Sequence, residues 1–369
     1  MKRLICLILT IALAFAVASC GESNSSTPST PTGDFDNSAA FKRVREMGVG
    51  ISIGNTMDAW PGGDETAWGC EKITPDLFKA IKSKGFKTVR IPVTYYKTIG
   101  SAPNYTIKAE WLSRVREVVK MAVDEGLFVI TNMHHENDWL KTKSDNIESM
   151  CFQFRACWKQ IATTLAEFDD KVMFECFNEV RDGDNWNGND ESYEVINRLH
   201  NIFVDVVRKT GGNNAKRFLI LNTYAGSSAT TDILGWKAPE REPNIIAEVH
   251  CYQPGDFCMS WGNGVYNSEV VQSNLTDIFN DLQTYFIDSG YPVIIGECGC
   301  INRNNLKERV EYTAFFSRLC KLNGICPIWW DNGLSGTDLS KENFGLINRK
   351  TYEWTFPELV DAFVNTKVE

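Results

Sequence analysis

Val172-Met173-Phe174-Glu175-Cys176-Phe177-Asn178-Glu179 reads as a short apolar strand that closes on an amide and a carboxylate. It is too short for an ordinary helix. It is also apolar on both faces rather than alternating, the pattern of a parallel strand covered from both sides. Seven more runs of this kind flank it, so the expected strands are residues 48–54, 88–93, 127–134, 172–177, 217–222, 245–250, 293–297 and 326–330. Amphipathic stretches lie between most of them. Trp111, Val115, Val118, Val119 and Ala122 share one helical face ahead of Gly126, and Leu275, Ile278, Phe279, Leu282 and Phe286 share another ahead of Gly290. The connection 224–239 carries the weakest helical pattern. Eight strands alternating with helices predict an α/β fold, a (β/α)8 TIM barrel in a single domain. An open doubly wound sheet would carry a Gly-rich phosphate loop after its first strand, and Gly54-Asn55-Thr56-Met57-Asp58-Ala59-Trp60 is not one.

The 369-residue chain is 43% hydrophobic and 23% charged, a globular composition, and its net charge of −9 argues against nucleic acid as partner. Its aromatic content of 12% provides flat rings suited to sugar faces. Lys2 and Arg3 precede an apolar run, 4–17, that is too short to span a membrane and ends in Val17-Ala18-Ser19-Cys20. That ending resembles a bacterial lipobox. The expected layout is a lipoprotein signal peptide over 1–19, a flexible Ser/Thr/Pro-rich tether over 20–38 and the globular domain over 39–369. The resemblance implies export and membrane attachment through lipid on Cys20, as a bacterial cell-surface or outer-membrane lipoprotein. Ten cysteines follow Cys20, with no Cys-x-x-Cys pair and no repeated metal-ligand spacing. The expectation is mostly buried free thiols, with room for one or two bridges.

Chemistry-bearing residues gather at the ends of the expected strands, where barrel enzymes build their sites. Arg90 lies in the second, His134, His135 and Glu136 end the third, and Asn178 and Glu179 end the fourth. His250 and Tyr252 end the sixth, Glu297 the seventh, and Trp329, Trp330, Asp331 and Asn332 the eighth. Two carboxylates on different strands, Glu179 and Glu297, suit glycoside hydrolysis, which needs one acid for the leaving oxygen and one carboxylate to attack or to activate water.

These residues carry a resemblance to glycoside hydrolase family 5. Glu175-Cys176-Phe177-Asn178-Glu179 resembles its acid/base motif and Ile294-Ile295-Gly296-Glu297-Cys298-Gly299 its nucleophile motif. Gly54 to Trp60, Glu65 to Gly69, Val89-Arg90-Ile91-Pro92-Val93, Asn132-Met133-His134-His135-Glu136 and Ile328 to Gly333 are similar to subfamily 4, which holds endoglucanases and xyloglucanases. The similarity runs from about residue 41 to the C-terminus. It implies a retaining endo-β-1,4-glucanase acting on β-glucan (cellulose, mixed-linkage glucan or xyloglucan), with Glu179 as acid/base and Glu297 as nucleophile. Asn178 would bind the sugar 2-hydroxyl, Arg90 would orient Glu297, His250 would orient Glu179 or touch substrate, and Tyr252 would bind Glu297. His135 would face the mouth and contact sugar hydroxyls, His134 is a second supporting candidate, Trp330 would stack on the sugar, Trp329 would enter the wall, and Asn55 would join the substrate contacts. No cofactor and no metal are expected, and the chain is expected to be a monomer.

There are departures from the family pattern. Tyr95, Tyr96 and Lys97 stand where many members carry Trp and His, Cys298 and Cys300 flank the nucleophile motif, and Val180 replaces a frequent Pro. Polysaccharide preference therefore stays open, with β-mannanase or xylanase as alternatives on the same scaffold. A non-catalytic surface glycan-binding lipoprotein and a metallohydrolase using the histidines are the rival classes. Adjacent His134 and His135 on one strand would point to opposite faces, which disfavours the latter.

Overall fold

The structure, a computed structural model, describes residues 37–143 and 146–367. The expected signal peptide, the Cys20 anchor and the tether up to residue 36 lie outside the described residues. Eight parallel strands, β1 (Gly50–Ser52), β2 (Thr88–Ile91), β3 (Phe128–Asn132), β4 (Val172–Glu175), β5 (Leu219–Asn222), β6 (Ile245–Cys251), β7 (Val293–Cys298) and β8 (Cys326–Trp329), close into a barrel in chain order, with β1 pairing to β8. This is the expected (β/α)8 fold.

Helices cover the outside. The stripe Trp111, Val115, Val118, Val119 and Ala122 is buried on the helix Ala109–Asp124, and Gly126 at φ 73° turns the chain into β3. The connection with the weakest pattern forms a 3-10 turn, Tyr224–Gly226, and a six-residue helix, Thr230–Gly235.

The barrel interior is layered by the two-residue strand period. Ile130, Met173, Ile220 and Ile246 form an apolar layer with Ile294 and Ile328. The helix Ser38–Met47 packs Ala40, Val44 and Met47 onto that cluster. Two residues further along β3 to β6 stand Asn132, Glu175, Asn222 and Glu248, all buried. Each strand thus turns from apolar to polar in one step toward its C-terminal end, and the polar layer becomes the floor of the barrel mouth.

Candidate active site

Arg90, fully buried on β2, organises this floor. Its Nε and Nη2 donate to Glu175 Oε2 and Oε1, both at 2.7 Å, in a fork-to-fork pair. Its Nη1 donates to Glu297 Oε1 at 2.8 Å and its Nη2 to Asn178 Oδ1 at 2.8 Å. One guanidinium therefore ties the ends of β4 and β7 together. Glu175 is held further by Asn132 Nδ2 at 2.6 Å.

Glu179, half-buried, lies four residues beyond β4 in the connection that follows it. His250 Nδ1 sits 2.8 Å from its Oε1, and Arg181 Nη1 lies 3.8 Å from Oε2. Glu297 on β7 accepts from the Tyr252 hydroxyl at 2.8 Å, and His250 Nδ1 lies 3.7 Å away. One carboxylate oxygen of Glu179, one of Glu297 and a ring nitrogen of His250 all lie within 4.8 Å of one another. That spacing suits a pair attacking one glycosidic bond directly, whereas an inverting pair stands roughly 6.5–9.5 Å apart to admit water. Burial opposes charge on His250, but Glu297, Glu179 and Glu248 outweigh it and hold the imidazole well above its ordinary value. Burial and the Glu297 charge push the Tyr252 phenol up, so it stays a donor.

The two histidines after β3 correct the expectation of opposite faces. β3 ends at Asn132, so the strand period does not govern His134 and His135. Their rings meet edge to face at 4.5 Å, and nitrogens of both lie within 4.8 Å of an Asp58 oxygen. His134 stacks on Trp330, with centroids 5.6 Å apart and planes 9° from parallel, while His135 meets Trp68 at 5.5 Å. Burial lowers His134 well below its ordinary value and His135 to about 4, so both are neutral at pH 7. Trp329 lies in the wall, donating to the Phe344 carbonyl at 2.8 Å and packing on Phe363.

Asn55, at φ 58° in the turn after β1, has its N–H bound by Asp58 Oδ2 at 3.0 Å. Among the described residues no hydrogen bond joins Asn55 to Glu179 or Glu297. Asp58 also accepts from Thr56 N at 2.8 Å, and burial still pushes its carboxyl up to about 6. Glu136 and Asp331 serve loops rather than the pair. Glu136 accepts from Tyr95 N and Trp139 Nε1, both at 2.6 Å. Asp331 accepts from Arg349 and from the amides of Leu346 and Ile347. The clusters Asp58–His134–His135 and Glu179–His250–Glu297 have the spacing of cation ligands, but Asp58 is engaged by amides and the glutamates by Arg90, Tyr252 and His250.

Sequence reasoning missed Asn132, Asn222, Glu248 and the role of Glu175. The signal was present: an ionisable or amide residue two positions after an apolar one, repeated in four successive apolar strands. The ten cysteines are free, nine of them buried and Cys70 half-buried.

Residues 52–336 match the model of the cellulase family, glycosyl hydrolase family 5. Endoglucanase B of Clostridium cellulovorans is 36% identical over 329 residues, which are 87% of this chain and 74% of that protein. A broad-specificity endoglucanase of subfamily 4 from Clostridium acetobutylicum superposes with a TM-score of 0.85 at 36% identity, covering 88% of this chain and 99% of that one. A xyloglucan-specific endo-β-1,4-glucanase from a metagenomic library, solved with cellotriose, superposes with a TM-score of 0.86 at 36% identity, covering 90% and 100%.

Proposed function

The chain belongs to glycosyl hydrolase family 5, and from that premise we propose that it is an endo-β-1,4-glucanase cutting internal linkages of β-glucan with retention of configuration. The approach of the Glu179 and Glu297 carboxylates to within 4.8 Å carries this reading. Glu297, oriented by hydrogen bonds from Arg90 and Tyr252, attacks the anomeric carbon. Glu179 protonates the leaving oxygen and then, as base, activates the water that releases the glycosyl-enzyme. Asn178 has its Oδ1 taken by Arg90, which leaves its amide NH2 to bind the sugar 2-hydroxyl. Trp330 and the exposed Trp60, Trp68, Trp186 and Trp261, on loops after β1, β4, β6 and β8, supply stacking surface for successive sugars.

Glu179→Gln and Glu297→Gln are each expected to lower kcat on barley β-glucan and xyloglucan at least about 1,000-fold without loss of fold. NMR of the first reducing ends should show the β-anomer. An α-anomer would overturn the double-displacement mechanism, and near-normal turnover in either variant would unseat that residue. We also infer export and a lipid anchor on Cys20, which the Val17-Ala18-Ser19-Cys20 motif supports. Incorporation of a labelled fatty acid by cells should occur in the full chain and vanish in Cys20→Ala. Labelling that survives the substitution would remove Cys20 as the anchor.

A further inference from the structure

Glu248 is a buried acid with no assigned part in the reaction, and its surroundings are specific. It stands on β6 two residues before His250. Its Oε2 accepts from Asn222 Nδ2 at 2.6 Å. Its Oε1 faces His250 Nε2 at 3.5 Å, and both atoms are buried with no hydrogen-bond partner closer. The space for that carboxylate is made by Gly296, next to Glu297, where a Cβ would fall 1.5 Å from Glu248 Oε1.

Charge balance gives the arrangement its meaning. Arg90 forks onto Glu175 and reaches Glu297, but its Nε stands 4.0 Å from Glu248. The imidazole of His250 is the next cation within reach, and it touches Glu179 through its other nitrogen. We propose that Glu248 is a positioning residue, one that clamps His250 from below so that a fixed, charged imidazole faces Glu179. The proposal rests on Glu179 and Glu297 being the working pair.

Burial and the Glu175 charge push Glu248 up to about 7, against the pull of His250 and Arg90, so the clamp is near its midpoint where the enzyme would work. The groups facing the imidazole are Glu248 on β6, Glu297 on β7 and Glu179 after β4, and His134 after β3 lies near enough to feel its charge. An imidazolium–Glu248 dipole points its positive end at both working carboxylates, 2.8 Å from Glu179 and 3.7 Å from Glu297. Without Glu248 the imidazole loses one of the three carboxylates that hold its charge and titrates lower, and the pH–rate profile of the pair it faces moves to higher pH.

Glu248→Gln keeps the shape. Both limbs of its kcat/KM profile on β-glucan should therefore shift upward by about half a unit or more, with KM nearly unchanged. Nitrogen-15 NMR of the wild type, which holds four histidines, needs no variant. It should find one imidazole charged at pH 7 and the other three neutral, and in Glu248→Gln the charged one should titrate lower. A superimposable profile, or no charged imidazole in the wild type, would overturn the proposal. A wild type inert on every β-glucan would instead sink the glucanase reading, and NMR would still decide the charge of His250.

Discussion

A guanidinium buried among three carboxylates is a high-stakes residue, because removing one partner of a buried charge network strands the others. Arg90 donates to Glu175, Glu297 and Asn178 at once, and a lysine cannot reproduce that fork. Arg90→Lys is therefore expected to cost about 3–5 kcal/mol of stability. It should also lower kcat/KM at least about 100-fold, as loss of a preorganised electrostatic contact does. Calorimetry and kinetics on one preparation check both. A variant that melts within a degree or two of the wild type and turns over normally would show that Glu297 is oriented by something else. Of the residues in this network, Arg90, Asn178, Glu179, His250, Tyr252 and Glu297 were legible because each lies at or near the end of an expected strand. Glu248 was not, because it sits inside an apolar run, Ile245 to Cys251, and its partners come from β5 and β7, far away in sequence.

The strands themselves were legible as elements, and their ends were not. All eight expected runs contain a strand, but the run 127–134 overshot β3 by two residues. An apolar residue such as Met133 continues the pattern after the ladder has stopped, since hydrophobicity reports burial and not pairing. That overshoot produced the mistaken placing of His134 and His135. The interior layering is a property of whole strands too, and β7 shows how tightly it is set. Gly296 occupies the point in β7 where Glu248 of β6 needs room. Gly296→Ala is expected to destabilise the fold by about 1–3 kcal/mol through overpacking. Shortening the neighbour in the double variant Gly296→Ala with Glu248→Ser should recover much of that loss, and a double-mutant cycle measured by denaturant unfolding reads the coupling. Additive losses would mean that the two positions do not share the space.

At the scale of the whole fold, a large barrel core stabilises the described residues, among which there is no disulfide. Small exported domains rely on disulfides because they bury too little surface; here ten cysteines remain thiols, nine of them as buried apolar packing. The denatured chain should accordingly titrate ten thiols beyond Cys20 without reductant. The same burial sets the pH dependence of stability. Glu136 and Glu248 are each pushed up to about 7, and Asp58 to about 6, so the folded chain holds protons that the unfolded chain has released at lower pH. Their contribution to stability is fully present below the ordinary carboxylate range and is lost as pH rises through about 7. His134, lowered well below its ordinary value, and His135 and His200, lowered to about 4, act in the opposite sense: the unfolded chain binds protons there that the folded chain refuses, so stability rises with pH up to about 6.5. The two sets oppose each other between about pH 4.5 and 6.5. Above that the histidine contribution is complete, while Glu136 and Glu248 lose their protons in the folded chain and the raised His250 keeps one that the unfolded chain releases, so stability falls. Calorimetry should therefore show the highest Tm near pH 6–6.5 and a fall toward pH 8 equivalent to about 1 kcal/mol. The fall should be smaller in Glu248→Gln, which removes one of the acids responsible. A Tm that climbs steadily from pH 6.5 to 8 would mean that these buried acids are ionised in the folded chain, and the floor of the barrel would then need a source of positive charge beyond Arg90 and His250.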